Sequence, residues 1–307
     1  MKFVLKSSVR EYRHIYRIYR PCMYLFFLSC LSTANSFHRE AAKADLTRKL
    51  ATETIFEILS NLSPTALALS ARLSWRLHDI ATSILYRDVY VYDVKARLFF
   101  LTLRSDTATA RFYPTYVRSL TYSSQPLEHA CLGFSLLCHA LKKTVNVSSL
   151  SLSIPPKCSD ILIGCLVEHG LIRKAGNIFD ALESLSDCIP ASTPYLLPRL
   201  DELSIHGELD LSRLCSFRKV RTLKLIEPMD YSDLAELYNN FPDGGSSKAA
   251  LEHLDLVLSF EKSPDIVRAI TGISEVFPGL LFIGIQAPII NALVRTRPII
   301  LDSVLNS

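Results

Sequence analysis

Cysteine and histidine are among the residue types in this chain that could hold a metal ion or act as nucleophile and base. Structural zinc sites need cysteines and histidines at close spacing. The sequence has no CxxC pair and no pair of histidines at metal-ligand spacing. We therefore expect no metal centre. The eight cysteines stand at positions 22, 30, 131, 138, 158, 165, 188 and 215.

Two pairs of these cysteines lie seven residues apart in apolar stretches, Cys131/Cys138 and Cys158/Cys165. Seven residues are about two helical turns, so each pair is predicted to lie on one face of a helix. Free cysteine is among the most buried residue types, which favours small buried hydrophobes over ligands. This usage fits a reducing compartment, cytoplasmic or nuclear, while the even number of cysteines leaves disulfides open.

The short motifs that carry known catalytic mechanisms are absent from the sequence. No GxGxxG, GxxxxGK[ST], HExxH or GxSxG occurs, which removes the nucleotide-binding, zinc-protease and esterase signatures. The glycine cluster at 243–247 lacks the lysine and hydroxyl of a phosphate-binding loop and is typical of a turn that ends a helix. A dispersed catalytic triad is recognised by geometry, so an unrecognised hydrolase stays open. We expect no enzymatic activity and no cofactor.

The positive charge of the chain is concentrated at its N terminus. The formal net charge is +4, but the first twenty residues contain six lysines and arginines and one glutamate, so residues 21–307 carry −1. Nucleic-acid binding needs a clustered basic surface that displaces counterions from phosphates. The body of the protein has no such excess, and we therefore expect no nucleic-acid partner.

Residues 1–45 combine a basic stretch with a short apolar run. Arginines recur at 10, 13, 17 and 20, and the apolar run spans only residues 22–31. That run is too short to cross a bilayer of about 30 Å as a helix, so we do not expect a membrane span. A signal peptide, an anchor, a transit peptide and a poorly ordered extension each fit this composition.

Residues 46–92 have the apolar spacing of three short helices. The first is predicted over 50–62, with a capping box between Thr54 and Glu57. Ser63 and Pro64 supply an N-cap and a first-turn proline for a second helix that ends near residue 71. A third helix is predicted over 74–85. A module this short buries little surface alone. We therefore expect it to pack on a partner or on the following domain.

The stretch LATETIFEILSNL at 50–62, with SARLSWRLHDIA at 70–81 and ILYRDV at 84–89, resembles an F-box in its fungal form. Two positions depart from that family, because Ala51 replaces its proline and its tryptophan falls at Leu77, two residues after Trp75. The resemblance implies an apolar face that docks on a Skp-family adaptor and through it on a cullin scaffold. The alternative is that the same side chains form the core of a helical cap. They are Leu50, Ile55, Ile58, Leu59, Leu62 and Leu67.

Residues 93–307 repeat a six-residue pattern whose first, fourth and sixth positions are apolar. Units of fixed form that recur in this way are typical of a solenoid. The interval between the second and third copies is about twice the usual one, which predicts a hidden copy there. The six visible copies begin at Val117, Val147, Leu200, Val220, Leu251 and Leu280.

Helical stretches separate the copies, which predicts units of strand, turn and helix. A helix between two parallel strands makes a right-handed crossover, so the fold is predicted as α/β, with a curved parallel sheet and outer helices. The unit resembles a leucine-rich repeat. The asparagine or cysteine that follows the strand in that family is missing at a regular offset, so we expect an irregular array, and another α/β arrangement stays open. The helices are predicted at 127–141, 159–169, 178–188, 231–241, 263–277 and 288–295.

The outward-facing strand positions are where a leucine-rich-repeat receptor of this kind would hold its target. They are small or charged, and they suit a merely solvated strand face equally well. Together with the F-box resemblance they predict a non-catalytic substrate-recognition subunit of an SCF-type ubiquitin ligase. The alternative is a repeat-based scaffold without a ligase role, membrane-associated through residues 1–45. The positions are Thr121, Ser151, Ser204, Lys224, Asp255 and Gly284.

Overall fold

The structure is a computed structural model that describes residues 50–105, 107, 110–124, 130–172, 196–216, 218–241, 246–260 and 263–286. The predicted segments at 1–45, 178–188 and 288–295 lie outside the described residues. The chain divides into two units at the junction between Asp88 and Val89, whereas the sequence pattern predicts the end of the helical module at residue 92. Each unit is described separately below.

The first unit contains three helices at the positions that the apolar spacing predicts. They are α1 (Thr52–Ser60), α2 (Pro64–Ser70) and α3 (Trp75–Leu85). Side chains from all three meet in a shared core, and burying one large apolar side chain stabilises a fold by about 1.5–3 kcal/mol. The core consists of Ile55, Leu59, Leu67, Ala71, Leu77, Ile80 and Ala81.

The helix starts in this unit follow the predicted capping signals at α2 but not at α1. Ser63 caps α2, because its hydroxyl accepts a hydrogen bond from an amide in the first turn, and Pro64 occupies that turn. The predicted capping box between Thr54 and Glu57 is wrong. Ala51 is the N-cap of α1 and makes no side-chain hydrogen bond, so Thr54 already lies inside the helix and cannot act as its cap.

The second unit alternates strands with helices. The sequence pattern did not reveal its first strand, because residues 88–92 lack the repeated apolar spacing. The strands are β1 (Asp88–Tyr92), β2 (Ser119–Ser123), β3 (Ser149–Ser153), β4 (Glu202–His206), β5 (Thr222–Met229), β6 (His253–Leu258) and β7 (Phe282–Gln286). The helices are α4 (Asp93–Arg104), α5 (Tyr113–Tyr116), α6 (Ala130–Lys143), α7 (Pro156–Glu168), α8 (Tyr231–Asn240), α9 (Ser246–Ala250) and α10 (Ser263–Val276), with 3-10 turns at Ala110–Phe112 and Leu209–Cys215.

The seven strands form one parallel sheet in chain order, which establishes an α/β fold. All six strands predicted from the repeated pattern are present, and consecutive copies pair in register, as Leu120 with Leu150 and Leu150 with Leu203. The backbone ladder begins just before the strands. The amide of Ser148 donates to the carbonyl of Arg118 at 2.8 Å, and the equivalent bond recurs between each later pair of copies. The copies are therefore equivalent units stacked side by side.

No strand of this sheet lies between the second and third copies, although a long interval of chain separates them. β3 and β4 are direct neighbours, with Ser151 paired with Ser204, so no strand fits between them. The predicted hidden copy is therefore wrong. The interval holds α7 and also residues 173–195, which lie outside the described part of the chain.

The sheet has one buried face and one open face. The apolar positions of the repeated pattern are buried, apart from the half-buried Ile285, whereas the alternate positions of β2–β7 are half-buried or exposed. The helices pack on one another in chain order, α4 on α6, α6 on α7 and α8 on α10. We call the alternate positions the open sheet face, together with Glu227, which lies in the irregular part of β5 between Leu225 and Pro228 and contacts His206. It consists of Ser119, Thr121, Ser123, Ser149, Ser151, Ser153, Glu202, Ser204, His206, Thr222, Lys224, Glu227, His253, Asp255, Val257, Phe282, Gly284 and Gln286.

Candidate functional site

The first candidate site is an apolar surface on the three-helix unit. Of the six predicted docking residues, Leu50, Ile58 and Leu62 are exposed, at 43, 53 and 36% of their full area. Ile55 and Leu59, together with Leu67 on α2, are only 3–4% exposed and belong to the core. The six therefore do not share one face. In this arrangement only the exposed three are available to a partner, and the buried three support the helices from within.

Four further apolar side chains are exposed on the same unit, and the sequence reasoning did not select them. They lie on all three helices or the turns between them, and one of them, Trp75, packs edge-on against His78 with ring centroids 6.0 Å apart. Soluble proteins rarely leave many large apolar side chains exposed on one small unit unless they bind something. With Leu50, Ile58 and Leu62 they make up what we call the helical surface. The four are Phe56, Leu69, Leu73 and Trp75.

Arg76 on α3 fixes the start of α1. One guanidinium nitrogen, Nη2, donates to the carbonyl of Leu50 at 2.7 Å and to the hydroxyl of Thr52 at 2.9 Å. Ala51, between these two residues, offers no side-chain cap. Arg76 thus supplies from outside the helix the restraint that the N-cap residue lacks, and it positions Leu50 on the helical surface.

The second candidate site is the open sheet face. The six positions predicted to hold a target form a single row, because each is the register partner of the next. Hydroxyl groups dominate the half of the face on β2 and β3, and charged groups appear from β4 onward. The row runs in the order Thr121, Ser151, Ser204, Lys224, Asp255 and Gly284.

Lys224 and Glu202 form a short polar contact on this face. The Lys224 Nζ atom lies 2.7 Å from Glu202 Oε1, and the other carboxylate oxygen accepts a hydrogen bond from the Ser149 hydroxyl at 3.2 Å. The hydrogen bond to Glu202 raises the pKa of Lys224, and Asp255 adds to that effect. Both partners are partly exposed, so solvent screens the pair and it contributes little to stability.

Ser153, His206 and Glu227 form a polar chain across β3, β4 and β5. The Ser153 hydroxyl lies 3.5 Å from His206 Nδ1, and His206 Nε2 lies 2.9 Å from Glu227 Oε1. The residue types match a nucleophile, a base and an acid, but acyl transfer also needs free donors for an oxyanion. The amide after the serine, that of Ile154, already donates to the His206 carbonyl at 2.8 Å. This geometry is that of hydrogen-bonded surface groups.

The cysteines do not form a reactive or metal-binding cluster in the part of the chain that the structure describes. Cys138 and Cys215 are free thiols, and no group of three or more metal-ligating side chains occurs among the described residues. Burial raises the pKa of Cys138 to about 12, with a smaller contribution from Cys165. Burial alone raises the pKa of Cys215 to about 12. Both thiols are therefore protonated near pH 7.

We expect the buried thiols to resist alkylation in the folded protein. Thiolate is the reactive form, so Cys138 and Cys215 should react with iodoacetamide roughly a hundredfold more slowly than a free cysteine at pH 8, because they are both protonated and inaccessible. Peptide mass spectrometry after timed labelling measures this, and labelling in urea provides the control in which both must react. Labelling of native Cys215 at the rate of a free thiol would contradict its burial.

Comparison with known proteins adds no family to these observations. No protein-family model matches the chain. No curated protein sequence is significantly similar to it. None of the described helices is long and apolar enough to span a bilayer.

Proposed function

We propose that the protein is a non-catalytic substrate-recognition subunit of an SCF-type ubiquitin ligase, acting in the cytoplasm or nucleus. The observation that carries this proposal is the exposure of Leu50, Ile58 and Leu62, together with the rest of the helical surface, on a unit that has a separate buried core. A partner that covers such side chains gains about 25 cal/mol for each Å² of apolar surface removed from water. The F-box resemblance of the same stretch indicates a Skp-family adaptor, which in turn binds a cullin scaffold.

The second unit supplies the target-binding surface in this proposal. Its stacked strand-and-helix units resemble leucine-rich repeats, and the open sheet face presents hydroxyl, carboxylate and ammonium groups that hydrogen-bond readily. Polar groups at protein interfaces fix orientation and partner choice more than they supply affinity. We infer that the target lies across the row from Thr121 to Gly284, while the helical surface binds the adaptor.

Mixing the purified full-length protein with a purified Skp-family adaptor tests the proposal. We expect a one-to-one complex on size-exclusion chromatography and a dissociation constant near 1 μM or below, which corresponds to a free energy of about −8 kcal/mol. The adaptor gains its affinity from the exposed apolar side chains, so raising the salt concentration should change binding little. Absence of a complex at protein concentrations roughly fifty times the expected dissociation constant would contradict the proposal.

Arg76→Met is expected to weaken adaptor binding about threefold to tenfold, a loss of roughly 1 kcal/mol. The substitution removes both hydrogen bonds to the start of α1 and leaves Leu50 free to move. Ordering Leu50 on binding then costs conformational entropy that the native protein has already lost on folding. Isothermal titration calorimetry with the adaptor measures the change.

A second variant separates positioning from a general loss of structure. Ala51 has φ −61°, which lies within the range that proline fixes, and proline is the residue that the F-box family has there. Ala51→Pro should therefore restore much of the affinity in the Arg76→Met background by restraining the same segment. If Ala51→Pro restores nothing while the double variant stays folded, Arg76 does not act by positioning Leu50.

A further inference from the structure

Asp255 differs from the other carboxylates on the open sheet face. Glu202 is bound by Lys224 at 2.7 Å and Glu227 by His206 at 2.9 Å. Within the described part of the chain, Asp255 has no hydrogen bond or ion pair, although its charge acts on Lys224 from a distance. An exposed carboxylate in the middle of a sheet face, with its neighbouring cation held by another acid, is free to bind a cation from outside.

Gly284 gives the Asp255 carboxylate its position. The two residues are register partners on β6 and β7, and a Cβ atom on Gly284 would overlap the Asp255 carboxylate. The carboxylate therefore leans across β7 into the space that a side chain at position 284 would fill. Glycine at this point of the row is what allows that orientation.

The neighbours of Gly284 on β7 that share its face are an aromatic residue and an amide residue. Phe282 and Gln286 lie two residues before and after Gly284, and alternate residues of a strand point to the same face. The Phe282 ring stacks on His253 with centroids 4.6 Å apart and planes 11° apart, and it is partly exposed. We call Asp255, Phe282, Gly284 and Gln286 the notch: the carboxylate leans over the glycine, and an exposed aromatic residue and an exposed amide residue lie two positions to either side of that glycine.

The charged groups of the whole open sheet face also favour a cationic ligand. Its described side chains include three carboxylates, Glu202, Glu227 and Asp255, and one lysine, Lys224. Carboxylates therefore outnumber ammonium groups on this face, so it attracts cationic groups. Arginine fits this notch better than lysine, because a planar guanidinium binds a carboxylate through two hydrogen bonds and its aliphatic stem packs along an aromatic ring.

We propose that the notch formed by Asp255, Phe282, Gly284 and Gln286 binds an arginine side chain of an extended segment of a partner protein. The inference rests on the proposed function in one respect, namely that the open sheet face holds a target. It adds the chemical class of the target residue and the place where that residue is bound. The hydroxyl groups of Thr121, Ser151 and Ser204 lie in the same row as Asp255 and can bind the backbone of that segment.

Short peptides that differ only in the central side chain test this site on the full-length protein. The probes are acetyl-Gly-Ser-Arg-Ser-Gly-amide and its lysine and citrulline counterparts, titrated into ¹⁵N-labelled protein and followed by NMR. We expect the arginine peptide to shift the amide signals of residues 253–257 and 282–286 and to bind at least fivefold more tightly than either counterpart. Citrulline keeps the shape of arginine without its charge, so it isolates the ion pair.

Two variants and a control assign the effect to the notch. Asp255→Asn should remove the preference for arginine, and Gly284→Ala should reduce it, because the added methyl group displaces the carboxylate. Asp160→Asn changes another exposed carboxylate, on α7, and should leave the preference intact. Equal binding of the arginine and citrulline peptides, or an unchanged preference in Asp255→Asn, would overturn the inference. Equal binding of the lysine peptide would overturn the assignment to arginine.

Adaptor binding, measured in parallel, separates this inference from the proposed function. Asp255→Asn lies on the second unit and should leave the affinity for a Skp-family adaptor unchanged within twofold. Loss of arginine preference together with intact adaptor binding supports both proposals. An arginine preference in a protein that binds no adaptor would support the notch and refute the ligase role. Adaptor binding without any arginine preference would refute the notch alone.

Discussion

Ile58→Asp is expected to weaken adaptor binding at least tenfold while the three-helix unit stays folded. Ile58 is 53% exposed and lies outside the core of the unit, so an aspartate there is largely hydrated in the free protein and costs little stability. In an apolar interface the same carboxylate loses its hydration without gaining a partner, which costs about 2 kcal/mol or more. A difference of 1.4 kcal/mol is a factor of about ten in affinity.

Two matched variants distinguish this loss of binding from a loss of fold. Ile161→Asp makes the same change on α7 of the second unit, where the isoleucine is 41% exposed, and should leave adaptor binding unchanged. Leu59→Asp buries a carboxylate in the core of the first unit and should unfold it. Trp75 is the only tryptophan in the chain and lies in that unit, so its fluorescence reports the unfolding. Normal adaptor binding by Ile58→Asp would remove the helical surface as the docking site.

Arg218→Met is expected to destabilise the second unit by roughly 2–4 kcal/mol. The Arg218 guanidinium is buried and donates to the carbonyls of Leu171, Leu196 and Leu214. Leu171 follows α7 and Leu196 precedes β4, so Arg218 links chain segments on either side of residues 173–195. Methionine fills a similar volume but leaves three carbonyls without that donor. Each lost charge-assisted hydrogen bond costs about 1.5–3 kcal/mol before offsetting terms.

The loss of these hydrogen bonds is partly offset, because the buried guanidinium of Arg218 has itself lost its hydration on folding. Burial lowers the pKa of Arg218, which shows that its surroundings oppose the charge, and no carboxylate among the described residues compensates it. Removing the charge recovers part of that cost, which is why the expected net loss is smaller than the sum of three hydrogen bonds. The guanidinium stays protonated across the physiological range, so the expected loss does not depend on pH between about 5 and 9.

Urea denaturation followed by far-ultraviolet circular dichroism measures the loss in the full-length protein. Trp75 fluorescence, recorded on the same samples, should be unaffected, because Arg218 lies in the other unit. Arg118→Met provides the control, since Arg118 is exposed and its guanidinium makes a hydrogen bond of 3.5 Å to the Asn146 carbonyl. Equal midpoints for Arg218→Met and the native protein would mean that the three carbonyls find other donors at little cost.

The strands of the second unit could be predicted because each copy repeats a strict apolar spacing. Three buried positions in six residues are compatible with few kinds of secondary structure, and a parallel strand between helices is one that buries all three. Strand β1 was missed, because one sheet edge does not need the repeated pattern. The hidden copy was predicted from interval length alone, and a long connection satisfies that interval equally well.

The exposed apolar side chains of α1 could only partly be predicted, for a geometric reason. The helix α1 carries apolar side chains on two sides, with Ile55 and Leu59 four residues apart on one and Ile58 and Leu62 four residues apart on the other. Residues four apart share a face of a helix. The spacing therefore identifies two apolar stripes on α1, but it does not tell which of them is buried. The packing of α2 and α3 selects Ile55 and Leu59 for the core and leaves Ile58 and Leu62 exposed.

The sequence by itself determined the local elements, meaning the three short helices, the six repeated strands and the row of outward positions from Thr121 to Gly284. These follow from periodicity, which is a property of neighbouring residues along the chain. Only the tertiary structure decided which stripe of α1 is exposed, which carboxylate of the open sheet face lacks a partner, and which carbonyls Arg218 binds. Those features depend on contacts between residues distant in sequence, and no local spacing specifies them.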